Sequence, residues 1–178
     1  MTVNKAFLAS ILIASWVGLG GCGSNNELDL TSPSFEEGDA IPEVHTADGD
    51  DMSPALEWND PPADTKSFAL ICEDPDAPFG TFIHWVMYDI PASTRELPLG
   101  IPDSLQFADG TKQGHNSFTV TGYRGPSPPP GKPHRYFFRL YALDTMLGLP
   151  PGVTNDDLSV AMKGRVLAEG RLMGIYGR

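Results

Sequence analysis

Two short tracts hold most of the polar chemistry of this chain: Asp74-Pro-Asp76-Ala-Pro78-Phe-Gly-Thr-Phe-Ile-His84-Trp85, and Pro126 through His134-Arg-Tyr136. A carboxylate, two imidazoles and a phenol are groups that orient protons and donate hydrogen bonds to an oxyanion. Pro75 keeps Asp74 out of helical geometry, and Pro78 and Gly80 turn the chain before His84. If this is a hairpin, Asp74 and His84 meet across its mouth, where a carboxylate fixes an imidazole's tautomer and favours its charged form. Taken one at a time, the same residues also suit an Asx-turn and a core histidine. The second tract runs Gly122-Tyr-Arg-Gly-Pro126-Ser-Pro-Pro-Pro-Gly131-Lys-Pro-His134. Its glycines allow backbone N–H groups to converge on an anion, and its prolines limit the entropy lost on binding.

Other chemistries find less support. No Gly-x-Ser-x-Gly elbow exists, and Ser127 sits between prolines, a poor setting for a nucleophile. Neither His-Glu-x-x-His nor Cys-x-x-Cys occurs; Asp74, Asp76, His84 and His134 could ligate zinc only by chance of folding, so no metal is expected. Phosphate-loop and dinucleotide fingerprints are missing as well, so no cofactor is expected. His45 and His115 carry no partnering signal and are expected in surface loops. Cys72 lies inside the apolar run Phe68-Ala-Leu-Ile-Cys72 and reads as a buried, inert thiol.

The elements that must position these groups are mostly strands. Ser67–Glu73, Phe82–Ile90, Ser117–Tyr123 and Tyr136–Leu143 are rich in aromatic and branched residues and bounded by Gly, Pro and Asp. Period-2 alternation puts His84 on one face with Phe82, Val86 and Tyr88, and His134 on one face with Tyr136, Phe138 and Leu140. Arg135 and Arg139 fall on the opposite face. Thr154 with Asp157 forms a capping-box pattern, so a helix is expected from there, with Leu158, Ala161, Met162 and Ala168 as its apolar stripe and Gly170 as its end. The tail from Leu172 to Arg178 is apolar enough to pack back on the domain.

The chain has 178 residues, 40% of them hydrophobic, which suits one globular domain. Met1 to Lys5, the apolar run Ala6 to Leu19 and the ending Leu19-Gly-Gly-Cys22 read as a lipoprotein signal peptide over 1–21, with lipid attached to Cys22. Residues 22–30 then form a tether and 31–178 the domain, anchored in the cell envelope by acyl chains without a spanning helix. Gly23, where Asp would favour inner-membrane retention in a Gram-negative cell, points to the outer membrane if the cell has one. The net charge is −11, and between Glu27 and Asp76 the only Lys or Arg is Lys66. Such a surface repels nucleic acid, which is not expected as a partner. Basic residues gather at Arg124, Lys132, Arg135 and Arg139, where an anion site would be sought.

In order along the chain, Ser53-Pro54 and Trp58, Asp74-Pro-Asp-Ala-Pro78, His84-Trp85, Gly125-Pro126 with Pro128-Pro129, His134-Arg-Tyr136-Phe, Tyr141-Ala-Leu-Asp144 and Gly174-Ile-Tyr176-Gly-Arg178 resemble the phosphatidylethanolamine-binding protein family, in its bacterial Raf-kinase-inhibitor-like branch. The resemblance implies a mainly β fold: a large antiparallel sheet with smaller strands and C-terminal helical elements. It implies a non-enzymatic protein with a pocket for a small anionic or phosphorylated ligand. By position, Asp74 and His84 line one side and Pro126, His134 and Tyr136 the other. Asp76 and Pro78 shape the hairpin, with Ala77–Pro78 a candidate cis bond, and Tyr176 lies near the mouth. Family members inhibit kinases or serine proteases through their surfaces, so a protein partner is also implied, though a kinase suits an envelope protein poorly. A hydrolase or isomerase using His84 or His134 as general base is the alternative. Ser127, Arg165 and Asp51 depart from the Cys, His and Asn common in bacterial relatives.

Overall fold

In a computed structural model, residues 27–178 are described. The expected signal peptide and Cys22 lie outside that range. Strands β1 (Glu27–Leu28), β2 (Leu30–Thr31), β3 (Leu56–Trp58), β4 (Ser67–Asp74), β5 (Phe82–Pro91), β6 (Glu96–Leu97), β7 (Lys112–Gln113), β8 (His134–Leu143) and β9 (Val166–Tyr176) account for most of the regular structure, with one helix, α1 (Asn155–Met162). The fold is mainly β, as expected. A six-stranded sheet runs β1-β9-β8-β4-β5-β7, and a three-stranded sheet runs β2-β3-β6. The large sheet is mixed, because β1 pairs with β9 in parallel while its other pairings are antiparallel.

The hydrophobic pattern explains the layering. Leu30, Leu56, Trp58 and Leu97 of the small sheet pack with Phe68, Leu70, Trp85, Met87, Phe138 and Leu140 of the large one. On the opposite face Leu158 and Met162 of α1 cover Ala69, Ile71, Val86, Tyr88 and Leu143. Buried on both faces, β4 and β5 are near-continuous apolar runs. Leu28 and Leu30, assigned to the tether by sequence, are instead buried strand residues.

The helix starts where the capping box requires: the Thr154 hydroxyl accepts from the Asp157 N–H, and the Asp157 carboxylate accepts from the Thr154 N–H. It ends at Met162. Ala168 and Gly170, expected in or ending the helix, belong to β9 instead, which pairs with β8 along ten residues from His134↔Tyr176 to Leu143↔Val166. The tail thus packs back as a full sheet strand. A side chain on Gly170 would collide with the Leu28 carbonyl, so the helix-ending glycine is a close-approach glycine of the β1–β9 pair. Ser117–Tyr123 is not a strand; it is a tight turn held by Asn116, whose Oδ1 accepts from Phe118 and whose Nδ2 donates to the Gly122 carbonyl. None of the described peptide bonds is cis, so Ala77–Pro78 is trans. His45 is buried, against expectation: its Nδ1 bonds the Met52 carbonyl within a loop folded on itself. His115 is exposed.

Candidate functional site: a cavity between two histidines

Antiparallel neighbours bring opposite strand ends together. The C-terminal end of β4 therefore meets the N-terminal ends of β5 and β8, and Asp74, His84, His134 and Tyr136 converge. They line a cavity of about 360 Å³ with Ala77, Pro78, Phe79, Gly80, Thr81, Phe82, Phe118 and Ser127–Pro129.

Asp74 is only 3% exposed, and its charge is satisfied within the protein. Its Oδ1 accepts the Asp76 N–H at 2.8 Å, the Asx-turn that starts the hairpin loop. Its Oδ2 lies 2.7 Å from His134 Nδ1, a contact that requires the proton on Nδ1. The carboxylate therefore orients a histidine, as expected, but that histidine is His134 across the sheet and not His84. Tyr136 is buried beside them; burial first, and then the charge of Asp74, push its phenol well above the ordinary range, so it stays a neutral O–H donor.

His84 reaches the cavity through a β-bulge. Cys72 faces Trp85 and Glu73 faces Ile83, which leaves His84 as the extra residue. Ile83, Val86 and Tyr88 then share the helix-covered face, while Trp85 and Met87 point to the other. Strict alternation, which grouped His84 with Val86 and Tyr88, fails at this point. His84 Nδ1 donates to the Arg124 carbonyl at 2.6 Å, and its ring is packed by Phe82 at 5.2 Å, Phe118 at 6.2 Å and Tyr136 at 5.2 Å. Burial lowers its pKa despite the opposing pull of the Arg124 carbonyl and of Asp74 and Asp51, and so favours the neutral ring.

The arginines expected near an anion are engaged elsewhere. Arg135 forms a fork with Asp76, which holds the Asp76 carboxyl down to about 2 and ties the hairpin loop to β8. Arg139 pairs with Glu73 and Glu169, and Arg124 with Asp103. The glycine N–H groups are also used internally: Gly125 donates to Asp51 Oδ1 at 2.6 Å and Gly131 to the Arg178 carbonyl. Pro126 is buried behind the cavity, its carbonyl accepting from Ala47, and the wall is made by Ser127, Pro128 and Pro129. Pro78 lines the cavity; Asp76 acts through Arg135. Tyr176 lies opposite His134 in the β8–β9 register, and its hydroxyl donates to Asp48, outside the cavity wall. The aromatic rim of Phe79, Phe82 and Phe118 had no sequence signal beyond its apolar character; Phe79 is fully exposed at the hairpin tip. Among the described residues, no group of three His, Cys, Asp or Glu side chains could hold a metal ion. Cys72 is buried, and burial pushes its thiol up, away from the reactive thiolate.

Comparison with known proteins identifies the framework. The family profile of phosphatidylethanolamine-binding proteins matches residues 31–177. The chain belongs to this family. A UPF0098 protein of Aquifex aeolicus is 50% identical over 153 residues, covering 85% of this chain and 89% of that protein. The UPF0098 protein YbhB of Escherichia coli is 45% identical over 124 residues, 66% of this chain and 78% of YbhB. Among solved structures, a phosphatidylethanolamine-binding protein homologue of Chlamydia trachomatis superposes with a TM-score of 0.78 at 38% identity, covering 86% of this chain and 99% of that one. E. coli YbcL, described as a member of the mammalian family, gives 0.80 at 30% identity over 85% of this chain and 99% of its own. In this member of the phosphatidylethanolamine-binding protein family, the strand ends carry the Asp74–His134 pair and the bulged His84 described above.

Proposed function

We propose that this chain is a lipid-anchored binding protein of the phosphatidylethanolamine-binding family, whose cavity takes a small anionic or phosphorylated ligand between His84 and His134. The observation that carries this reading is the Asp74–His134 contact at 2.7 Å. It engages Oδ2 of the carboxylate that lines the cavity, and it makes His134, once protonated on Nε2, a charged donor facing the ligand. Tyr136 adds a neutral donor from the same strand face. The family match supports the reading, since relatives are named for binding a phosphate-bearing lipid. The signal-like segment and Cys22 support a location in the cell envelope, so the kinase inhibition for which the bacterial branch is called Raf-kinase-inhibitor-like is not carried over. A protein partner would meet the exposed Phe79 and Phe118 at the rim.

The same Asp–His pair is also the observation that favours the rival reading, a hydrolase or isomerase with a pocket histidine as general base. Calorimetric titration with inorganic phosphate at pH 6 separates them. Binding, weakened about tenfold or more in His134→Ala through loss of a charged hydrogen bond, is the expected result. No binding at millimolar phosphate, or turnover of an ester and phosphoester panel that His134→Ala abolishes, would replace the proposal.

A further inference from the structure

Both pocket imidazoles are fixed through the same ring atom. The Arg124 carbonyl can only accept, so His84 Nδ1 at 2.6 Å must carry a hydrogen. The Asp74 carboxylate likewise requires a hydrogen on His134 Nδ1. Each ring therefore offers Nε2 to the cavity that it lines. The two Nε2 atoms are not equivalent. A proton on His134 completes an ion pair with Asp74. A proton on His84 would sit among Phe82, Phe118 and Tyr136, with its Nδ1 side closed by the 124–125 backbone. The charged groups around it are Asp74 on β4 and Asp51 in the preceding loop; the Arg124 guanidinium is turned to Asp103. Burial outweighs those two carboxylates and favours the neutral ring, with a lone pair on Nε2.

With His134 protonated against Asp74, a ligand that fills this cavity accepts hydrogen bonds from His134 and Tyr136 and donates one to His84. We infer that the site selects a phosphomonoester in its singly protonated form, whose P–OH donates to His84 Nε2 while its anionic oxygens accept from His134 and Tyr136, over a phosphodiester, which has no such proton. This rests on the phosphate-type reading above and names its ligand class. It sets free or terminal phosphoryl groups ahead of the diester headgroup of an intact phospholipid. His84 becomes the residue that sets specificity, and His134 the one that supplies charge.

The test compares methyl phosphate with dimethyl phosphate by calorimetry on the same protein at pH 6 and pH 8.5. A phosphomonoester loses its second proton near pH ~6, whereas the diester is a monoanion throughout. At pH 6 the monoester should bind about tenfold tighter, the effect of leaving one buried acceptor unpaired by the diester. At pH 8.5 that ratio should fall, because the dianion has no proton to give. Simple charge attraction predicts the opposite trend, since the monoester gains charge with pH. A ratio that rises with pH, or equal binding of both esters at pH 6, overturns the inference and leaves the anion-pocket reading standing. Failure of both esters to bind at pH 6 overturns that reading as well. In His84→Phe the pH 6 ratio should drop to about one; a ratio unchanged from wild type would remove His84 from the account. Should that variant fold poorly, the two wild-type measurements decide.

Discussion

Asp74 shows how a carboxylate can line a cavity that we propose takes an anion. Its Oδ1 accepts the Asp76 N–H and its Oδ2 the His134 Nδ1–H, so each oxygen has an internal partner and the His134 tautomer is fixed. His84, on the other side, is held against its ordinary titration by burial, and this has a consequence for stability. Its folded pKa lies below the unfolded value, so its contribution is fully present above about pH 6.5 and is lost as the pH falls from there through the folded value, where the unfolded chain takes up the proton first. Denaturant unfolding of wild type and His84→Gln at pH 7.5 and pH 5 should show a smaller acid loss in the variant; equal losses would mean that His84 is not buried neutral. The residue types in this site were legible in the sequence, and so was the shared face of His134 and Tyr136. The pairing was not. Asp74 reaches His134 because β8 lies beside β4, a non-local fact that the local hairpin argument could not contain.

At the scale of elements, precision comes from irregularities. The bulge at His84 turns one residue out of an otherwise regular pattern, and sequence alternation has no term for it. The loop that receives its Nδ1 is fixed in turn by Gly125, where an added Cβ would lie 2.3 Å from the His45 carbonyl oxygen. Gly125→Ala should therefore destabilise the fold by about 2 kcal/mol, as expected of overpacking against backbone, and should weaken phosphate binding by shifting the Arg124 carbonyl. Melting and titration of that variant check both effects; an unchanged melting temperature would show that the loop is not clamped there. The long strands β4 and β5 were legible because burial on both faces writes continuous hydrophobic runs, and β8 because its aromatic and apolar residues alternate with Arg135 and Arg139 on the opposite face. The helix start was legible through its capping box. Its end was not, because Ala168 satisfies a helical stripe as well as it satisfies β9, and pairing with β8 decided the outcome. Ser117–Tyr123 has strand composition but is closed into a turn by the Asn116 side chain.

At the scale of the whole molecule, a chain of net charge −11 carries, at one end of its main sheet, the small cavity that we propose takes an anion. The surface arginines Arg124, Arg135 and Arg139 are matched with carboxylates and form no broad basic patch. In the proposal this domain hangs from Cys22. Cell fractionation of wild type and Cys22→Ala should move the protein from the membrane to the soluble fraction; a variant that stays membrane-bound would contradict the anchor. At the centre of the proposal, an anion binds between the two pocket histidines. Histidine ring NMR spectra recorded during a phosphate titration at pH 6 test it most directly. The signals of His84 and His134 should shift together and saturably while those of exposed His115 and of His45 stay in place. Saturation that leaves His84 and His134 unmoved would contradict it.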